Sequence, residues 1–249
     1  MRVLAVSAQS HSQRPVFCHT AAAAIWGLPL FGLRDERVHL RIPDGRCGRS
    51  TSQIMRHSSR SIGESDVVEI GGLFVTTLSK TMVDLARFAN VEAAIGALDA
   101  GLRVPFGTQR DCIEPQALEW KLAQAGLLSN MPGERGARRA QSVIALGDPR
   151  ADSVAESVSR LQLARLGIEF EIQVPVAGSG GRHYWVDFSF VRQSIVGEVD
   201  VAAPQLRGRA GETAPRRPAR TRSRRRHDQR GCRDASPVRR QDCPVNAPR

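Results

Sequence analysis

Four acidic residues are spaced for metal-assisted phosphodiester chemistry: Glu156, Asp187, Glu198 and Asp200. Asp187 lies in an alternating run from His183 to Phe190, and Glu198 and Asp200 end a second run that begins at Ile195. A turn centred between Arg192 and Gln193 sets Val186 against Val199, Phe188 against Gly197 and Phe190 against Ile195, an apolar face suited to burial. The opposite face then carries Asp187 across from Glu198, with Cβ atoms roughly 4.5 to 5.5 Å apart in such a pair, and Asp200 follows on the same side. Like charges directly opposed destabilise a sheet, so three converging carboxylates call for solvent, protonation or a cation. Mg²⁺ suits them, because it binds through one or two carboxylates and completes its shell with water and phosphate oxygens. The chemistry implied is hydrolysis of DNA or RNA, with Asp187 and Glu198 as metal ligands. A solvated acidic face on an edge hairpin is the alternative.

Glu156 also has two readings. Ser153-Val154-Ala155-Glu156 is a capping box, which makes Glu156 the third helical residue bonding back to the helix start; the same helix could aim it at the acidic cluster. Pairing with Arg160 one turn later would add about 0.3 kcal/mol. His183 and Tyr184 precede the hairpin and could reach a phosphate, although a lone His at a strand start is more often structural.

The elements that must position these residues follow from periodicity and punctuation. The capped helix spans 153–166 and stops at Gly167; strands at 168–174, 183–190 and 195–199 follow it. Upstream, Thr20 to Trp26 reads as a short helix capped by Thr20 and ended by Gly27-Leu28-Pro29. Val38 to Ile42 is a strand, and Val67–Ile70 and Leu73–Thr76 flank Gly71-Gly72, a two-residue hairpin signal. Helices are expected from a Ser79 cap to Phe88, over 91–102, over 115–125 and over 134–146, before the turn Gly147-Asp148-Pro149 that marks a domain boundary.

Composition bounds the partners. The net charge of +11 is concentrated from Pro204 onward, where 14 Arg face four acids, while the preceding residues are close to neutral. That segment has no Phe, Trp, Tyr, Ile, Met or Lys, so it cannot offset its chain entropy by burial and is expected to be disordered. It reads either as a basic nucleic-acid-binding arm or as the product of a shifted reading frame in a GC-rich gene. The five cysteines are widely spaced and include no C-x-x-C pair, so neither a disulfide framework nor a zinc site is indicated, and a reducing cytoplasm fits. Polar residues from Ser7 to Arg14 interrupt any signal-peptide core, and no apolar run is long enough for a membrane span.

Three blocks carry a family resemblance. Cys18-His19-Thr20-Ala21-Ala22 with Trp26-Gly27-Leu28-Pro29 resembles the "S-H-x-S-A-A … h-G-L-P" segment of bacterial proteins related to AbiEi-type antitoxins. Val75-Thr76-Thr77 with Lys80-Thr81-Met82-Val83-Asp84-Leu85-Ala86 is similar to their "V-T … R-T-x-x-D-L-A" helix entry. Ser153 to Leu161, Gln173, Val186-Asp187-Phe188 and Gly197-Glu198-Val199-Asp200 resemble the C-terminal domain these proteins share with very-short-patch-repair-like endonucleases of the restriction-endonuclease, or PD-(D/E)xK, fold. The resemblance implies Glu156 as the helix acid, Asp187 as the central metal ligand, and Glu198 with Asp200 as an E-x-D in place of E-x-K. Family members carry a winged helix before the first block, which here starts at Cys18, and continue after E-x-D with glycine and basic-aromatic residues where this chain has Val201. The expectation is a chain lacking the winged helix and truncated or frame-shifted after Asp200.

The expected fold is therefore α/β of the α+β kind. An N-terminal extension covers 1–14, an AbiEi-like mixed domain 15–146, a partial endonuclease-like αβββ unit 150–203, and a basic tail 204–249. The expected function is a Mg²⁺-dependent DNA endonuclease, incomplete or inactive in the truncated form. The alternatives are a non-catalytic antitoxin or transcriptional regulator that binds DNA or a cognate toxin through 15–146, and a degenerate remnant.

Overall fold

A computed structural model describes residues 15–33, 35–41, 49–57, 63–104, 110–129, 135–178 and 183–200. The chain divides into two compact units, Met1–Val201 and Ala202–Arg249, and all described residues belong to the first. The expected extension at 1–14 and basic tail at 204–249 lie outside the described residues. The fold is mixed α/β, with six helices and two sheets among the described residues.

The first sheet contains β1 (Val16–Phe17), β2 (Val38–Arg41), β3 (Ile54–His57), β4 (Val67–Ile70) and β5 (Leu73–Thr76), in the order β3-β2-β1-β5-β4. β1 runs parallel to β5 and antiparallel to β2, while β2 and β3 are parallel. The β4–β5 hairpin turns at Gly71 and Gly72, whose φ angles of 57° and 79° supply the left-handed pair that matches strand twist. Helix α1 (His19–Ile25) lays Ala21 on Phe17, Val38 and Leu40 in a small apolar cluster. Thr20 is not its cap. The cap position is Cys18, which makes no side-chain capping bond, because β pairing persists to that residue through Cys18 N–H donating to the His39 carbonyl at 3.1 Å.

The larger core lies among the helices. α2 (Leu78–Phe88) is capped by Thr77, which accepts from Lys80 N; Ser79, the expected cap, instead accepts from the Trp120 indole N–H at 2.9 Å. Asn90 caps α3 (Val91–Arg103) by accepting from Ala93 N at 2.7 Å. α4 (Arg110–Ser129) extends the expected 115–125 at both ends and holds Pro115 inside it, at the cost of one backbone hydrogen bond. α5 (Ala137–Leu146) follows Gly136. Met82, Leu85, Ala94, Leu98, Val143 and Ile144 pack together, and Leu161 of α6 (Val154–Arg165) joins them.

The second sheet is an antiparallel meander of β6 (Glu171–Ala177), β7 (His183–Phe190) and β8 (Ile195–Gly197). β7 has its expected bounds, β6 starts later than expected, and β8 stops at Gly197 instead of reaching Val199. The hairpin register is the expected one, with Phe188 paired to Gly197 and Phe190 to Ile195. Ile172, Val186 and Phe188 form its buried face.

The turn at 147–149 joins helices that share one core. Asp99, on α3 and 1% exposed, accepts from Asp148 N at 2.7 Å and from the Arg160 guanidinium at 2.9 Å. Burial pushes its carboxyl above the usual range, while Arg160 and the Asp148 N–H pull it back. Arg160 thus pairs with Asp99 and the Leu146 carbonyl. This buried, charge-assisted bond displaces the expected surface pair with Glu156, whose net contribution would be small. Asp99→Ala strands a guanidinium and a backbone N–H and should cost about 3 to 5 kcal/mol in urea unfolding. A loss under about 1 kcal/mol would show that α6 docks by apolar contact alone.

Candidate functional site

Glu156 belongs to the helix start, and its carboxylate also meets the strand that carries Gln173. The Ser153 hydroxyl accepts from Glu156 N at 3.1 Å, which caps α6 as the sequence predicts. The Glu156 side chain, 8% exposed, reaches back so that Oε2 accepts from Asp152 N at 2.9 Å. The same oxygen accepts from Gln173 Nε2, also at 2.9 Å. Helix start and site are therefore built from one carboxylate.

Gln173 is the junction. Its Nε2 also donates to Asp187 Oδ1 at 3.2 Å, so one amide group serves the helix acid and the strand acid. Its backbone explains the reach: φ is 51°, the left-handed region that non-glycine residues rarely occupy. Ladder pairing runs on either side, from Ile172 to Phe188 and from Val174 to Val186, and Gln173 is the residue between. Such a conformation costs roughly 1 to 2 kcal/mol and persists where surrounding contacts hold it.

Asp187 is half-buried, and its second oxygen, Oδ2, accepts from Val199 N at 2.8 Å. This bond accounts for the early end of β8: beyond Gly197 the backbone N–H turns to the carboxylate. Glu198 and Asp200 are exposed on this terminal stretch. Among the described residues, no three carboxylates bring ligand oxygens within 4.8 Å of one another. The expected convergence of Asp187, Glu198 and Asp200 is therefore replaced by a pair, buried Glu156 and half-buried Asp187, separated by an amide. Like charges lower their mutual cost when fixed donors stand between them, and Glu198 and Asp200 stay exposed to water.

An open cleft of about 750 Å³ adjoins this network, lined by Lys121, Asp148, Arg150, Gln173 and Trp185 among others. A smaller recess of about 500 Å³, flanked by Arg160 and Phe170, also has Gln173 on its wall. Lys121 donates to the Gly147 carbonyl at 2.8 Å, and burial lowers the pKa of its ammonium. Arg150 forks onto Asp148 with bonds of 3.0 and 2.8 Å. Trp185 and Tyr184 each expose about half their surface. The result is a cleft with two cations, Lys121 and Arg150, two acids, Glu114 and Asp148, an indole face, and the Gln173 residue of the acid network on its wall. Lys121, Arg150 and Trp185 have no motif to announce them; they line one cleft from α4, from the segment after α5 and from β7.

Two curated relatives, uncharacterized proteins from two strains of Mycobacterium tuberculosis, are 28% identical to this chain over 186 residues. The alignment covers 74% of this chain and 62% of each relative, so the chain spans less than two thirds of their length. No family model matches the chain, and no solved structure matches it. Among the described residues, no helix is long and apolar enough to cross a membrane.

The Gln173 junction can be dissected by two substitutions. Gln173→Ala removes hydrogen bonds to two carboxylates and should lower stability by about 2 to 3 kcal/mol. Gln173→Gly loses the same bonds but relieves the backbone strain, so it should be about 1 kcal/mol less damaging than alanine. Urea unfolding of the three proteins measures both quantities, and equal losses would mean that position 173 stores no strain.

Proposed function

We propose that the unit from α6 to β8 is a nuclease-type site of the very-short-patch-repair, restriction-endonuclease-like kind, acting on DNA phosphodiester bonds with Mg²⁺. The observation that carries this reading is the meeting of a helix carboxylate, Glu156, and a strand carboxylate, Asp187, at one amide beside a cleft that holds Lys121, Arg150 and Trp185. The donor chemistry fits a hard cation: the ligand atoms are carboxylate oxygens, and each Asp187 oxygen accepts a bond yet keeps a lone pair. Asp187 and Glu198 would hold the ion, which when bound supplies a polarised water and offsets charge on the phosphate. Asp200 orients that water or the ion from the terminal stretch. Glu156 and Gln173 fix the direction of the Asp187 carboxylate, and the cleft cations draw in the phosphodiester backbone.

A second reading has one specific observation in its favour. Glu156 and Asp187 are already satisfied by protein donors, as in a structural network that needs no ion. On this reading the chain is an AbiEi-type antitoxin or regulator that binds DNA or a partner toxin through residues 15–146.

Incubation of the full chain with supercoiled plasmid and Mg²⁺ or Mn²⁺ separates the two. The nuclease reading expects nicking that falls by about 100-fold or more in Asp187→Asn, the usual scale for loss of one catalytic group. Absence of cleavage with every divalent ion tried would sink it, and DNA retardation without cleavage would leave the regulator.

A further inference from the structure

A second cluster of chemical groups lies where β1 enters α1, and it shares no residue with the network of Glu156, Gln173 and Asp187. Cys18 is fully buried at the cap position of α1. His19 opens the helix at φ 50°, is 3% exposed, and stacks on His57 with ring centroids 3.9 Å apart and planes 13° from parallel. Neither ring nitrogen of His19 has a hydrogen-bond partner. Asp84 Oδ2 stands 4.0 Å from Nδ1, beyond hydrogen-bond reach, and is held by Arg41, while Lys80 holds its other oxygen. A buried imidazole with both nitrogens idle costs about 1 to 3 kcal/mol and asks for a ligand. Cys18 Sγ, one nitrogen of His19 and one of His57 lie within 4.8 Å of one another, the only such trio among the described residues.

The neighbouring side chains fix which nitrogen His57 offers. His39 Nε2 donates to Asp35 Oδ2 at 3.2 Å, so His39, neutral in its buried position, has Nδ1 as an acceptor. That Nδ1 lies 3.1 Å from His57 Nε2, which must then carry the proton. The lone pair of His57 is left on Nδ1. With Nε2 donating to His39, the ring has its lone pair on Nδ1 free to ligate.

We propose that Cys18, His19 and His57 form a binding site for a transition-metal ion of the Zn²⁺ type, with Asp35 and His39 as the outer shell that orients His57. Thiolate and imidazole are the ligands such an ion selects over Mg²⁺, and a carboxylate–histidine chain behind a ligating imidazole is its usual support. Burial pushes the Cys18 thiol up to about 12, against a hydrogen bond from Arg41 that favours the thiolate. The protein therefore presents a thiol, and binding one ion forms the metal–sulfur bond and releases that proton to solvent. Closing the ligand atoms onto one ion, at about 2.3 Å to sulfur and 2.0 to 2.1 Å to nitrogen, requires the stacked rings to rotate apart. Three protein ligands leave one tetrahedral position for water.

The test uses untagged full-length protein in which Cys47, Cys112, Cys232 and Cys243 are replaced by serine, stripped with a chelator and titrated with Co²⁺. The expected result is one equivalent bound, with thiolate-to-cobalt charge transfer in the near ultraviolet and displacement by Zn²⁺. Cys18→Ser should abolish the charge-transfer band. Half-buried His57→Gln, checked for folding by circular dichroism, should weaken binding by at least about 10-fold, and Asp35→Asn by about 10-fold. A chain that gives no charge-transfer band, or a band that survives Cys18→Ser or is indifferent to His57→Gln, would overturn the proposal.

Discussion

A single buried carboxylate, Asp99, sets the arrangement on which the second half of the fold depends. It sits on α3 in the helical core, yet its partners come from the 147–150 turn and from α6. A charge at that depth is tolerable only when paired and hydrogen-bonded, so the chain is obliged to bring Arg160 and the Asp148 N–H to it. This obligation fixes both the position and the rotation of α6. Leu161 then falls into the same core as Leu98 and Ile144.

The acid network inherits that placement. With α6 fixed, Ser153 and Glu156 stand at its start, facing the strand that carries Gln173. The β6–β7 pairing supplies Asp187 opposite, and Val199 N closes the circuit from the end of β8. Two carboxylates so placed are bridged by the Gln173 amide, and the Asp152 and Val199 N–H groups supply each with a further donor. The network is thus equally suited to presenting oxygens to a cation and to standing as a satisfied polar core, and a cleavage measurement is what separates these uses.

Much of this was legible from local chemistry. The Gly71-Gly72 turn, the Ser153 cap, the stop at Gly167 and the register around Phe188 and Gly197 each depend on residues within a few positions of one another, and the structure has them. What escaped depends on distant partners. Ser79 and Arg160 had plausible local roles but were taken by Trp120 and Asp99, more than 40 positions away in sequence. The turn at Gly147 to Pro149 is real, but a turn signal cannot tell whether the elements it joins have separate cores. The histidine cluster has no sequence signature at all: His19, His39 and His57 meet only because β1, β2 and β3 are neighbours in the sheet. Gln173 appeared only inside a resembling block, since a lone glutamine in a strand looks like any other polar position.

The left-handed backbone at Gln173 also links two things that otherwise have nothing in common, the hydrogen bonds of a site and the pairing of two strands. Its side-chain bonds to Glu156 and Asp187 favour that conformation over the extended one its neighbours adopt. Without those two bonds residue 173 has less to offset its left-handed backbone, and the extended region would let its backbone groups rejoin the ladder between β6 and β7. The two side-chain bonds of Gln173 are thereby tied to the continuity of a sheet, and the amide protons around position 173 report whether those bonds are made.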